Sequence, residues 1–307
     1  MKNNLHDIVN VIMYLYQRNI PRMIMINTIV LGICIFVTSI FVVGCSTISR
    51  ITSDMTPRQE YYLGRSVMAN LLTKTPLVTH AFNNYLNKVG ILLSFSCSRP
   101  ETYRGYHFGV VTSEKKFAVS APGGFILISV GLLKDMESED ELAAVLAHEV
   151  AHIDANHVQK AIKSSGWTEV GVFAGMLLAQ FAVKDNKFKE AMMKYENLVS
   201  EDVETVVKNG YGRGQEEESD VMALEIISRS GYDPTALLTF LKKHKSTDGD
   251  SWTSTHPSDQ NRVDKVTEEL TKYLSSDGKS FEKIHPFRTE RFKQQKMAFL
   301  KLHTNAT

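Results

Sequence analysis

The sequence has little cysteine and no excess of charge of either sign. It contains 3 cysteines in 307 residues, and 35 basic side chains almost balance 34 acidic ones, for a formal net charge of +1. So few cysteines cannot form a disulfide framework, and the balanced charge argues against nucleic acid as a partner. No tandem repeat is visible, which argues against a repeat-built domain. The hydrophobic content of 43% is sufficient for a globular core.

The N-terminal part contains one long apolar segment. Residues 25–44 are nearly continuously apolar, with Arg18 and Arg22 before them and Val42-Val43-Gly44-Cys45 at their end. A basic flank, an apolar stretch and a small residue before a cysteine are typical of a lipoprotein signal. We therefore predict a signal over 1–44, lipid on Cys45 that attaches the protein to a membrane, and a tether over 45–56. The alternative is an uncleaved anchor, because the stretch is just long enough to span a bilayer.

The segment His148-Glu149-Val150-Ala151-His152 carries the strongest functional signal. Ser138 and the acidic residues after it predict a helix start, and helical spacing then places both imidazoles on one face. Two histidines placed in this way can bind one metal ion, and the glutamate between them faces the attacking water. The pattern predicts a zinc hydrolase with His148 and His152 as ligands and Glu149 as the general base.

A second run of carboxylates, farther along the chain, offers the third ligand that catalytic zinc requires. On a helix, Glu216 and Asp220 share a face with small and apolar residues, whereas Glu218 lies on a polar face. We therefore predict that Glu216 binds the metal and that Asp220 accepts the second N–H of a ligand histidine. Glu217 lies between the two faces and remains an alternative. His157 is not predicted to be a ligand, since on a continuing helix it lies about half a turn from the metal face.

The remaining patterns predict an α+β fold: a mainly helical, zincin-like metallopeptidase with a small antiparallel sheet beside the active-site helix. Apolar residues at helical spacing predict helices, and short β-branched and aromatic runs between turn residues predict strands. The predicted helices cover 57–73 and 77–93, and the predicted strands cover 106–111, 117–120 and 125–130.

Domain boundaries and a substrate strand follow from the same patterns. Residues 57–274 are assigned to the metallopeptidase domain, and the basic, aromatic tail 275–307 is expected to pack on it. Backbone pairing aligns an extended peptide without demanding its sequence. The strand Phe117-Ala118-Val119-Ser120 is our candidate for that pairing edge, and an ordinary half-buried strand is the alternative.

Several motifs occur in the order of a known family. From about residue 59 to about residue 270, the chain resembles the zinc metallopeptidases that include the CAAX prenyl proteases, HtpX and the mitochondrial Oma-type proteases. Within that family it is most similar to short periplasmic lipoprotein members such as LoiP, which lack the repeat domain of BepA. The matching segments are 117–133, 139–152, 212–220, 231–234 and His256-Pro257 followed by Arg262.

The resemblance implies one zinc ion per chain, with Glu216 as a ligand and Asp220 as its outer partner. It also implies that His256 is a removable fourth ligand or gate, whereas by composition a histidine before proline is as often a turn residue. The family usually has alanine where this chain has Ser219, and we expect little consequence. Tyr211 and His256 are both candidates for stabilising the oxyanion.

The same resemblance implies an endopeptidase of the cell envelope that acts in quality control of unfolded or misassembled envelope proteins. By analogy with Gram-negative sorting, Ser46 after the cysteine favours the periplasmic face of the outer membrane. Two alternatives stay open. One is a non-catalytic, zinc-containing chaperone or scaffold for outer-membrane protein assembly, and the other is an Oma-type protease kept in the inner membrane by an uncleaved N-terminal helix.

Overall fold

The computed structural model describes residues 55–164, 211–244, 252, 256, 260–277 and 285–304. These residues all belong to one unit, which extends from Asp54 to the C-terminus. The predicted signal, Cys45 and nearly all of the tether lie outside the described residues. Among the helices that are described, none has the length and apolar character needed to cross a bilayer.

Helices dominate the described part of the chain, with three short strands between the second and third of them. This arrangement confirms the predicted α+β class. The helices are α1 (Pro57–Lys74), α2 (Phe82–Ser94), α3 (Val130–Asp135), α4 (Glu139–Asp154), α5 (His157–Ser164), α6 (Arg213–Arg229), α7 (Thr235–Lys243), α8 (Gln260–Asp277) and α9 (His285–Thr304). The strands are β1 (His107–Val111), β2 (Ala118–Ala121) and β3 (Phe125–Ser129).

The sheet is mixed, so the prediction of an antiparallel sheet was wrong in this respect. β3 lies in the centre, antiparallel to β2 and parallel to β1. β2 and β3 form a hairpin whose turn contains Gly123 and Gly124, both with positive φ. The hairpin occupies one edge of β3, so β1 pairs with the other edge. The direction of β1 relative to β3 is set by a crossover connection and not by a tight turn. Strand patterns locate strands but do not encode that direction.

The predicted active-site helix, α4, is the centre of the fold. All 16 of its residues are buried, and it contacts α2, α6, α7, α9 and β2. At its start, the Ser138 hydroxyl accepts a hydrogen bond from the Glu141 backbone N–H at 3.1 Å. The Glu141 carboxylate accepts a hydrogen bond from the backbone N–H of Glu137, so both residues help to fix the predicted helix start. Polar side chains on such a buried helix need partners within the protein.

The C-terminal helix α9 supplies partners for the buried acids at the start of α4. Arg288 contacts Asp140, with 2.7 Å between Nη2 and Oδ1. Arg291 donates to Glu139, with 2.6 Å between Nε and Oε2, and the hydroxyls of Tyr85 and Tyr232 donate to the same carboxylate. The described part of the basic tail therefore neutralises carboxylates that α4 buries in its first turn.

Candidate metal centre

His148 and His152 lie one turn apart on α4 and point into the same buried space. Their Nε2 atoms are 3.0 Å apart, and both side chains are essentially inaccessible to solvent. Two buried imidazole nitrogens at this separation must share either a proton or a common partner. A metal ion between them meets that requirement.

Helix α6 packs along α4 and brings a carboxylate to these imidazoles. Glu216 Oε2 lies 3.3 Å from His148 Nε2, and Glu216 Oε1 lies 3.5 Å from His152 Nε2. Glu216 is fully buried, Glu217 is half-buried and Glu218 is exposed, which is the orientation that the helix faces indicate. Of the three glutamates in this run, Glu216 is the one that lies at the imidazole pair.

His256 completes a cluster of four. Its Nδ1 lies 3.2 Å from His148 Nε2 and 3.2 Å from Glu216 Oε1, and its ring stacks on Trp252 with centroids 4.6 Å apart. The ligand atoms of His148, His152, Glu216 and His256 all lie within 4.8 Å of one another. Three imidazoles and one carboxylate are donors that zinc accepts, and their convergence in a buried space fits a single zinc ion.

Glu149 lies at the edge of this cluster. Its carboxylate is fully buried, and Oε1 is 3.1 Å from His256 Nε2. Burial by itself would raise the pKa of this carboxyl, but the adjacent His256 imidazolium outweighs burial and lowers it. The carboxylate is thus ionised at neutral pH, which is the form that accepts a proton.

The charges of the cluster support one another. Burial acts to raise the pKa of the Glu216 carboxyl, but His256 and His148 hold it well below its usual range. Without a metal ion, burial acts to lower the pKa of His256, but Glu216 and Glu149 raise it to about 10, so zinc must displace this proton before the imidazole can bind it. For His152, burial prevails and keeps the pKa well below its usual value, so this imidazole stays neutral with a lone pair for a metal.

Asp220 and Arg262 support the back of His148. Asp220 Oδ1 lies 3.0 Å from His148 Nδ1, the nitrogen that faces away from the cluster. Arg262, from α8, donates to both oxygens of Asp220 at 2.7 and 2.8 Å and contacts Glu216 Oε2 at 2.9 Å. Sequence reasoning included Arg262 only as part of a motif. The two carboxylates that Arg262 contacts lie more than 40 residues away in the sequence, so no local pattern could assign them.

His157 contacts His152 on the side of the ring that faces away from the cluster. The sequence did not predict this contact. Helical spacing places His157 away from the metal face only if α4 continues. However, α4 ends at Asp154 and the chain turns through Asn156, whose φ is 56°. His157 therefore folds back, and its Nδ1 lies 2.8 Å from His152 Nδ1. It lies outside the ligand cluster, on the far side of the His152 ring. Asn156, directly before α5, was the available signal for this turn, because asparagine tolerates a positive φ.

Strand β2 and Tyr211 line the remaining sides. β2 is an edge strand of the sheet and holds three of the predicted residues, Ala118, Val119 and Ser120, while Phe117 immediately precedes it. The carbonyl oxygen of Ala118 lies 3.4 Å from His256 Nε2. The Tyr211 ring stacks on His152 with centroids 4.0 Å apart. The edge strand and the tyrosine are thus both next to the cluster, and their roles stay predictions.

The comparison with known proteins identifies the family. The sequence profile of peptidase family M48 matches residues 82–270, more than half of the chain. The chain belongs to this family. The family membership inferred from the motifs is therefore confirmed.

Curated proteins match substantial parts of this chain. The beta-barrel assembly-enhancing protease of Escherichia coli K12 is 25% identical over 196 residues, which cover 62% of this chain and 38% of that protein. The protein of the same name from Yersinia pestis is 26% identical over 190 residues, covering 60% and 37%. Mitochondrial metalloendopeptidase OMA1 of Arabidopsis thaliana is 30% identical over 148 residues, covering 47% and 27%. This chain therefore spans less than two fifths of the length of these relatives.

Proposed function

We propose that this M48 chain is a zinc-dependent endopeptidase of the bacterial cell envelope that cleaves misfolded or misassembled envelope proteins. The observation that carries the proposal is the convergence of the ligand atoms of His148, His152, Glu216 and His256 within 4.8 Å, with Glu149 in contact. The names of its relatives support this reaction, since they include a metalloendopeptidase and a protease that is linked by name to beta-barrel assembly.

In the proposed mechanism, His148, His152 and Glu216 hold the zinc ion. A bound zinc ion supplies a Lewis acid that polarises the scissile carbonyl and makes water more acidic. Glu149 accepts the proton of the attacking water and delivers it to the leaving amine, since its carboxylate is ionised and buried at the cluster. Asp220 orients His148 through Nδ1, and Arg262 fixes Asp220 in turn.

The substrate is proposed to pair with β2. This strand lies at the sheet edge, and its Ala118 carbonyl is next to His256, so a peptide extended along β2 would run past the cluster. Backbone pairing suits a protease of misfolded proteins, because it requires an extended chain and little sequence specificity. We propose Tyr211 and His256 as donors to the oxyanion, because the Tyr211 ring stacks on His152 and His256 contacts Glu149.

The position of His256 favours a second candidate function. With His256 as a fourth protein ligand, a zinc site is closed, and closed sites are typical of structural zinc. A non-catalytic, zinc-containing chaperone or scaffold for envelope assembly would have this arrangement permanently. We favour a removable His256, because a structural site has no need for Glu149, whose buried charge is costly without a function.

The test compares two kinds of variant in the full chain. Glu149→Gln should retain one zinc ion and lose casein cleavage by about 100-fold or more, because general acid–base catalysis is removed. His148→Ala or Glu216→Ala should lose zinc on dialysis. Wild-type cleavage by Glu149→Gln would refute the catalytic assignment, and stoichiometric zinc in Glu216→Ala would refute that ligand.

His256→Ala separates the two candidate functions. Faster casein cleavage by this variant supports a removable ligand, and unchanged or absent cleavage with full zinc supports a structural site. We also propose lipid on Cys45 and attachment to the periplasmic face of the outer membrane. Mass spectrometry of the mature N-terminus tests this, since an unmodified Cys45 behind an intact apolar segment would favour inner-membrane anchoring instead.

A further inference from the structure

A chain of contacts leads from the proposed zinc ligand His152 to the protein surface. His152 Nδ1 lies 2.8 Å from His157 Nδ1, and His157 Nε2 lies 3.1 Å from Glu218 Oε2. Lys160 then contacts the same carboxylate at 3.1 Å. His157 is fully buried, whereas Glu218 is 46% exposed. The mechanism above uses neither His157 nor Glu218.

If both imidazoles are neutral, these contacts allow one arrangement of protons. A carboxylate only accepts hydrogen bonds, so the nitrogen of His157 that faces Glu218 must carry the proton. In a neutral imidazole the other nitrogen, Nδ1, is then an acceptor and faces His152 Nδ1. His152 must donate from Nδ1, which leaves the lone pair on Nε2. That Nε2 is the atom pointing into the cluster, 3.5 Å from Glu216 Oε1.

Two further contacts hold His157 in this place. The Ser219 hydroxyl lies 3.2 Å from His157 Nδ1, so it shares the single lone pair of that nitrogen with His152. The Gln215 side-chain amide donates to the His157 carbonyl at 3.3 Å. Gln215, Glu218 and Ser219 all belong to α6, the helix that also provides Glu216. One helix therefore supplies the carboxylate of the cluster and fixes the residue behind one of its imidazoles.

We infer that His157 and Glu218 are positioning residues that set the tautomer and ring orientation of His152 for zinc. The two ligand histidines are then fixed in different ways. His148 is fixed by the buried pair Asp220 and Arg262, and His152 is fixed by a histidine whose own tautomer is set by a surface carboxylate. This inference rests on the zinc site of the proposed function and goes beyond it, since it assigns a role to the one glutamate of the run that points to solvent.

The sharpest test reverses the hydrogen bonding at Glu218. In Glu218→Lys, an ammonium group that can only donate hydrogen bonds lies next to His157 Nε2. Nε2 must then accept, so the proton of His157 moves to Nδ1 and faces the N–H of His152. Glu217→Lys, one residue earlier on the same helix, makes the same charge change outside the contact chain. Glu218→Gln keeps an acceptor oxygen for Nε2. The readout is zinc affinity of the full chain, measured by competition with a chelating indicator.

Glu218→Lys is expected to bind zinc about 10- to 100-fold more weakly than Glu217→Lys, as is typical when an outer partner of a ligand is lost. Glu218→Gln is expected to bind as wild type does. His157→Phe keeps the ring volume but removes the acceptor, and we expect a loss similar to that of Glu218→Lys. Because Glu218 is exposed, its variants retain the core, and melting of the zinc-free forms checks this.

Nitrogen-15 NMR of the zinc-loaded protein gives a second readout that a merely structural role would not change. The proton of His157 is expected on Nε2 in wild type and on Nδ1 in Glu218→Lys. Equal zinc affinity in the two lysine variants, or a proton on His157 Nδ1 in wild type, would overturn the inference while leaving the zinc site intact. A wild-type chain that binds no zinc would refute both the inference and the proposed function.

Discussion

Loss of Arg262 should strongly destabilise this protein, because it would leave buried carboxylates without their cation. Its guanidinium is 1% exposed and contacts two carboxylates that are fully buried, Asp220 and Glu216. It also donates to the carbonyl of His256 at 3.2 Å. Substitution by methionine keeps most of the volume but leaves both carboxylates without this cation.

The expected magnitude follows from that geometry. Removing one partner of a buried ion pair costs about 3–5 kcal/mol, because a charge stays buried without compensation. For a domain of this size, 1 kcal/mol changes the melting temperature by roughly 2–4 °C. Arg262→Met should therefore lower the melting temperature of the zinc-free protein by about 6–20 °C. Calorimetry in the presence of a chelator measures this shift.

Two controls separate uncompensated charge from lost packing. Arg229→Met removes an arginine that is more than half exposed and pairs with Glu225, so its melting temperature should stay at the wild-type value. Arg262→Met combined with Asp220→Leu removes one of the stranded carboxylates and should recover part of the loss. A single Arg262→Met variant that melts within about 2 °C of wild type would refute the argument.

Two further predictions concern the rest of the fold. Arg291→Gln should cost roughly 1–3 kcal/mol in urea unfolding because the buried Glu139 loses its cation and keeps only the neutral hydroxyls of Tyr85 and Tyr232. Lys272→Gln, on an exposed pair, should cost nothing measurable, and equal effects of the two variants would contradict this. His244 is buried beside Asp135, and burial lowers its pKa below 6.5 despite that carboxylate. The unfolded chain therefore binds the proton more readily, so stability is intact above pH 6.5 and is lost as the pH falls below it. In His244→Gln the difference in unfolding free energy between about pH 7.5 and about pH 5.5 should be smaller than in wild type, and an unchanged difference would show that His244 contributes nothing.

The local sequence determined which segments form helices and strands, including the helix α4 that carries His148 and His152. Helical spacing fixes the relative direction of His148 and His152, because both lie on one helix and their separation is a property of its geometry. The same reasoning distinguishes Glu216 from Glu218, since burial of one face follows from the apolar residues that share it. The predictions for residues 1–54, including the signal and Cys45, depend on sequence alone.

Tertiary structure decided the partners that come from distant elements. The direction of β1, the pairing of Arg262 with Asp220 and the approach of His256 all depend on contacts between segments far apart in sequence, which no local pattern specifies. His157 shows the difference within a single stretch of chain. Spacing on an ideal helix placed it away from the metal face, but a two-residue turn at Ala155 and Asn156 returned it to the back of His152. Periodicity holds only while the helix continues, and where it ends depends on the packing around it.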